Sequence, residues 1–265
     1  MNPALTHGAF SWSELMTADP EKAVSFYNHL LGWSNRDMPM PQGVYHLQMI
    51  DKFPVAGIMN LPQPELPTAW VYYITVDDVD AAAKRAEELG AKVHVPPMDI
   101  PTVGRFAGIL DPQGVFFHVI KYEEPAEGSE MPNVDFAQTF VTPGAFSWFQ
   151  LQTSDPEAAA EFYTKLLGWE VVVSEMPSGP YREIKVNGAG MGGIMPLWSD
   201  EVPPHWSAYV TVDDADAVAA AAKSSGATVI VPPTDIEKVG RFATVQDPTG
   251  GILNVIKYVP MPEPA

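Results

Sequence analysis

Arg105 and Arg241 stand in identical five-residue segments, Val-Gly-Arg-Phe-Ala, 136 positions apart. The planar guanidinium of arginine presents paired donors, so each could grip a carboxylate or an enolate oxygen of a ligand. Each could equally be tied to acids of its own chain: Asp99 or Asp111 for Arg105, Asp235 or Asp247 for Arg241. On a strand, Arg105 and Phe106 must point to opposite faces, so a site can receive one but hardly both. Both arginines are candidate ligand-binding residues on this ground. Other chemistry is excluded by what the chain lacks. It has no cysteine, which removes disulfides, thiolate zinc sites, iron–sulfur clusters and thiol catalysis. No phosphate-binding glycine loop, dinucleotide fingerprint or Ser-His-Asp arrangement is visible. Carboxylates, imidazoles and large aromatic side chains remain.

The elements that must position them are repeated. Gly8–Trp33 matches Gly144–Trp169 at 17 of 26 positions, and Trp70–Tyr122 matches Trp206–Tyr258 at 30 of 53. The offset is 136 in both blocks (8 to 144, 70 to 206), so the halves align there without a gap. Such self-similarity predicts a tandem duplication. The expected division is a first domain over 1–124, an acidic linker over 125–142 and a second domain over 143–265. Within each half a plan recurs. A strand over Ala9–Met16 leads to Asp19-Pro20, a helix cap followed by a residue suited to the first turn. Ala23, Phe26, Tyr27, Leu30 and Leu31 then recur at helical spacing, and Gly32 closes the helix. Strands follow near 34–38, 44–50 and 55–61. The plan restarts with a strand over Val71–Val76, a helix over Val79–Leu89, and strands over 92–95, 105–110 and 116–121. The fold class expected is α+β: four βαβββ modules paired into two domains.

The chain has 265 residues, 46% hydrophobic and 18% charged, enough apolar material for packed cores. Its formal net charge of −18 disfavours nucleic acid and anionic membrane surfaces as partners. Met1–Gly8 lacks the basic start and apolar core of a signal peptide, and no apolar run reaches the roughly 18–20 residues of a membrane span. The expectation is a soluble cytoplasmic protein, monomer or homodimer, whose partner is a small molecule.

The phrases TADPEKAVSFYNHLLGW, YITVDDVDAAAKRAEELGAKV and LDPQGVFFHVIKY, each recurring in the second half, resemble the vicinal oxygen chelate superfamily. That superfamily includes glyoxalase I, extradiol dioxygenases and bleomycin-binding resistance proteins. The resemblance implies curved mixed sheets around a cup, with a divalent metal held by one ligand from each of four strands. Carried over residue by residue, the first-strand ligand falls at Trp12 and Trp148, which cannot bind metal. Glu14, two residues on, could substitute, with Gln150 as its counterpart. The fifth-strand position falls at Val71 and Ser207, and the last-strand position at His118 and Asn254. The remaining strand offers no carboxylate or imidazole in either half. His46 completes a two-histidine, one-carboxylate set if its strand turns that face inward; otherwise Tyr45 and Leu47 face the cup.

The resemblance implies two alternative functions. One is a glyoxalase- or dioxygenase-like enzyme with a divalent metal (Zn, Fe, Mn or Ni) in the first half only. Glu14 and His118 would be its catalytic and metal-holding residues, joined by His46. The other is a metal-free binder of an antibiotic-like or aromatic compound, of the bleomycin-resistance type. Trp12, Tyr45, Trp148, Gln150, Tyr181 and Asn254 would line its sites, with either Phe106 and Phe242 or the two arginines completing them. Metal-free acid–base catalysis by Glu14 and His118 is a third course.

Overall fold

A computed structural model describes residues 1–40, 43–123, 135–176, 179–199 and 201–259. The first module runs β1 (Phe10–Thr17), α1 (Pro20–Leu31), β2 (Ser34–Met40), β3 (Gly43–Ile50) and β4 (Phe53–Asn60). The second runs β5 (Ala69–Thr75), α2 (Val79–Glu88), β6 (Lys92–Ile100), β7 (Gly104–Leu110) and β8 (Phe116–Tyr122). The third runs β9 (Phe146–Thr153), α3 (Pro156–Leu167), β10 (Glu170–Met176), β11 (Gly179–Val186) and β12 (Ala189–Pro196). The fourth runs β13 (His205–Thr211), α4 (Ala215–Ser224), β14 (Thr228–Ile236), β15 (Gly240–Gln246) and β16 (Ile252–Tyr258). The strands form two open eight-stranded sheets of mixed direction, ordered β2-β3-β4-β1-β5-β8-β7-β6 and β10-β11-β12-β9-β13-β16-β15-β14. This is the α+β architecture of four βαβββ modules.

Local chemistry explains the helix limits. The Asp19 carboxylate accepts the Lys22 amide at 3.1 Å, satisfying a donor that the first turn leaves open. Gly32 ends α1 at φ 69°, a left-handed conformation that costs glycine little. Asp155 and Gly168 repeat both devices on α3. Two strands outrun their sequence signal. The sequence pattern places β6 over 92–95, whereas the strand continues to Ile100, through Pro96 and Pro97. Proline removes a ladder donor and is tolerated at a sheet edge, where β6 lies; the pairing with β7 shifts register around these residues. β14 does the same in the second half.

The chain divides into two compact units. One comprises Met1–Trp12, Val71–Phe136 and Trp148–Ser207, and so holds the second and third modules. The other comprises Ser13–Trp70, Ala137–Ser147 and Ala208–Ala265, and holds the first and fourth.

In the unit of the second and third modules, Phe10 stacks on Phe149 with ring centroids 4.2 Å apart, beside Trp169 and Trp206. The buried Tyr163 hydroxyl donates to Asp111 at 3.0 Å and accepts from the Trp206 indole at 3.1 Å. Burial raises the Asp111 carboxyl above its ordinary value, opposed by the amides of Val115 and Gln113 and by Tyr163. In the unit of the first and fourth modules, Tyr27 donates to Asp247 at 2.7 Å and accepts from Trp70 at 3.1 Å. There Ala215 and Ala219 of α4 pack on Ala243 and Val255.

Residues 125–134 of the expected linker, with residue 124 before them, lie outside the described residues. The linker's remainder departs from an exposed connection. Residues Phe136–Phe140 form a short 3-10 helix, Phe136 is buried and its amide reaches the Met1 carbonyl at 2.9 Å. The Thr139 carbonyl accepts the Thr211 hydroxyl at 2.7 Å. No helix among the described residues is long and apolar enough to cross a membrane.

Candidate functional site

Strand register decides which candidate side chains share a face. In the first module, Glu14 pairs with Gly57 and Leu47 with the same glycine, so Glu14, Leu47 and Tyr45 share one face. Leu15, Ile58 and His46 share the other. That second face is the helix side: Leu15 lies against the turn where Asp247 receives the hydroxyl of Tyr27 from α1. His46 therefore points away from Glu14. Its Nδ1 lies 2.8 Å from Asp37 and its neighbour Gln48 donates to Asn35 at 2.9 Å. The expected set of Glu14, His118 and His46 is corrected accordingly, because alternation on β3 puts His46 under the helix. Glu14 is buried on the helix-free face. Tyr45 lies across Gly57 so closely that a Cβ there would overlap its hydroxyl.

In the second module, His118 pairs with Tyr73 on β5 and Gly108 on β7, which fixes these residues and Phe106 on one face. Three rings enclose the imidazole, with centroids at 4.3 Å for Tyr73, 4.9 Å for Phe116 and 5.3 Å for Phe106. His118 is 2% exposed and its Nδ1 meets no hydrogen-bond partner among the described residues. Desolvation among the rings pulls its pKa down to about 3, so the imidazole is neutral at physiological pH. A neutral imidazole offers one donor and one acceptor.

Arg105 takes the opposite face of β7. Its guanidinium bonds Asp80 at 2.6 and 2.9 Å and Asp99 at 2.8 Å. Arg241 is held in the same way by Asp216 and Asp235. Of the two courses open to each arginine, the structure takes the ion pair, with Asp99 and Asp235 among the partners: Phe106 shares the face of His118, and each arginine fork is filled by the carboxylates of its own module.

In the third module, Trp148, Gln150 and Tyr181 come together. The Trp148 indole donates to the Tyr181 hydroxyl at 2.9 Å, and that hydroxyl donates to the Gln150 side-chain oxygen at 3.0 Å. The Gln150 amide reaches the Gly193 carbonyl at 3.3 Å. Tyr181 covers Gly193 as Tyr45 covers Gly57. Ser207 donates to the Gln150 backbone carbonyl at 3.4 Å. In the fourth module Asn254 is fully engaged, accepting from Thr244 at 2.6 Å and donating to the Ala208 carbonyl at 3.2 Å. Phe242 lies 5.9 Å from Tyr209, ring to ring. Burial pushes the Tyr209 phenol up to about 12. Trp12 is half-buried on β1.

These residues do not fit a resident metal ion. Among the described residues, no three side chains of His, Cys, Asp or Glu gather as a ligand set. A stable protein-bound zinc usually takes at least three protein ligands.

Sequence reasoning missed Tyr73 and Phe116 as walls around His118. Phe116 was legible, since it precedes His118 by two on one strand. Tyr73 needed the register of β5 against β8. It also missed Glu183, which register places on the face of Gln150 and Tyr181 through Gly193.

Relatives agree with this architecture. The Mycobacterium tuberculosis protein CFP32, provisionally named a glyoxylase, is 38% identical over 260 residues, covering 96% of each chain. The anthracycline biosynthesis protein DnrV of Streptomyces peucetius is 29% identical over 280 residues, covering 94% of this chain and 93% of its own. The crystal structure of a Mn(II)-bound glyoxalase from Novosphingobium aromaticivorans superposes with a TM-score of 0.66 at 18% identity, over 96% of this chain and 83% of that one. The sequence model of the Glyoxalase/Bleomycin resistance protein/Dioxygenase superfamily matches residues 9–119 and again 145–256, and the chain belongs to that superfamily.

Proposed function

We propose that the protein binds a flat aromatic small molecule in its first half, without a resident metal, and that His118 is the polar anchor. One observation carries this reading: a buried, neutral imidazole whose Nδ1 has no partner among the described residues, walled by Tyr73, Phe106 and Phe116. Burying such a nitrogen without a partner costs free energy, and a ligand hydroxyl or carbonyl would recover it. The rings supply apolar faces for stacking on a planar ligand. The matched nitrogen and oxygen of Asn254 are already bonded within the chain, which supports a division of labour between the halves. The DnrV relative is named for the biosynthesis of anthracyclines, and a planar polycyclic ligand suits these walls.

The test is titration of the protein with 1,8-dihydroxyanthraquinone, followed by the dye's visible absorbance, with metal content measured by elemental analysis on the same sample. Saturable binding without a stoichiometric metal is expected, weakened about tenfold by His118→Asn, the loss of one hydrogen bond. One tightly held equivalent of metal, or unchanged affinity in His118→Asn, would overturn the reading.

A further inference from the structure

Register on β9, β11 and β12 sets Trp148, Gln150, Tyr181 and Glu183 on one face of the third module. Gly190 lies at the middle of this group. A Cβ on Gly190 would stand 2.5 Å from the Glu183 carboxylate oxygen and 3.5 Å from two carbons of the Trp148 six-membered ring. A carboxylate and an indole thus converge over a position that carries no side chain. The indole is held by its hydrogen bond to Tyr181, so its place does not depend on a ligand. The Glu183 and Lys185 side chains are 34% and 28% exposed, and their ion pair is long, at 3.6 Å. An ion pair of this length and exposure contributes little to stability, so a ligand cation can compete with Lys185 for the carboxylate. Glu170, the strand partner of Lys185, adds a second acid to this face. Arg182 pairs with Ile194 and takes the other face.

The first half lacks the combination. Leu47 stands where Glu183 does, Met49 where Lys185 does, and Pro54 where Gly190 does, at the same offset of 136. Leu47 and Met49 are buried there. The feature therefore belongs to the second half alone.

We propose that the third module binds an organic cation, a protonated or quaternary amine seated on the face that carries Glu183 and Trp148, beside Gly190. The carboxylate supplies charge, and the indole supplies the π-surface that attracts an ammonium group. Gly190, by carrying no side chain, leaves the place that the Glu183 carboxylate takes beside the Trp148 ring. This site is separate from the one built on His118 and stands or falls without it.

Choline and its uncharged isostere, 3,3-dimethylbutan-1-ol, provide the probes. Binding is read from the indole N–H resonance of Trp148, assigned with Trp148→Phe. Choline is expected to shift that resonance saturably and the alcohol to bind at least fivefold more weakly. Glu183→Gln, which removes the charge and keeps the shape, is expected to weaken choline about fivefold, the scale of one ion–ion contact in water. Gly190→Ala is a second variant and should weaken it as well, while His118→Asn should leave it unchanged. Equal affinity for the two probes, no shift with either, or choline binding unaltered in Glu183→Gln would overturn the proposal. So would a loss in His118→Asn that matches the loss in Glu183→Gln, because the cation would then sit at the other site.

Discussion

Tyr181 lies so close across Gly193 that the glycine is the only residue that fits beneath its hydroxyl. The same relationship holds between Tyr45 and Gly57 in the first module. Gly57 is the strand partner of Glu14, and Gly193 of Gln150. A phenol therefore covers the strand position beside each of these polar residues.

Gly193→Ala is accordingly expected to destabilise the fold by about 1–3 kcal/mol, the usual range for overpacking. It should also break the hydrogen bond from Trp148. Removing the ring in Gly193→Ala/Tyr181→Ala should recover part of the loss. Urea denaturation of the two variants checks this, and a double variant no more stable than the single one would refute it.

The buried tyrosines make a second prediction. Tyr163→Phe strands the Trp206 donor and one Asp111 oxygen, both buried. The expected cost is about 1–3 kcal/mol, set by buried polar groups left without partners. Tyr27→Phe does the same to Trp70 and Asp247 and should cost a similar amount. Thermal or chemical melts of both variants decide; a change under about 0.5 kcal/mol in either would contradict the account.

His118 makes the fold sensitive to acid. Its pKa is pulled down to about 3 in the folded state, against about 6.5 for an unperturbed imidazole, so between these the unfolded chain binds the extra proton. Stability from this group is complete above pH 6.5 and is lost as pH falls toward 3. The full span corresponds to roughly 4–5 kcal/mol at 1.36 kcal/mol per pKa unit. His118→Asn should flatten the pH dependence of unfolding in that window relative to the parent. Parallel slopes for the two proteins would show that the imidazole is not buried in this way.

Arg105→Lys and Arg241→Lys should leave ligand affinity unchanged, since both guanidinium groups are occupied by aspartates on the helix side. Titration of each variant with 1,8-dihydroxyanthraquinone and with choline provides the check. A fall in affinity for either probe would return the arginines to the site.

Most of the fold was legible because its signals are local. Asp19-Pro20 and Gly32 delimit α1 through bonds within a few residues, and the repeat supplied each limit a second time. The site was less legible because its faces depend on pairing between strands. For His46 the sequence left two faces open, and only the register with Ile58 chose the helix side. For Arg105 the sequence offered Asp99, which the structure bears out, but not Asp80, which lies 25 residues away on α2 and comes within reach only when the helix packs on β7. Glu183 escapes a search for matched positions, because its counterpart, Leu47, is apolar.

The Tyr163–Asp111 bond joins the third module to the second, and the Tyr27–Asp247 bond joins the first to the fourth. Each compact unit thus draws on both copies of the duplicated sequence. A chain severed between residues 123 and 135 would yield two fragments, neither containing a whole unit. Such fragments should be aggregation-prone alone and should recover structure by complementation when mixed. The duplication thus yields two half-sequences that complete each other's units, each through one tyrosine–aspartate seam.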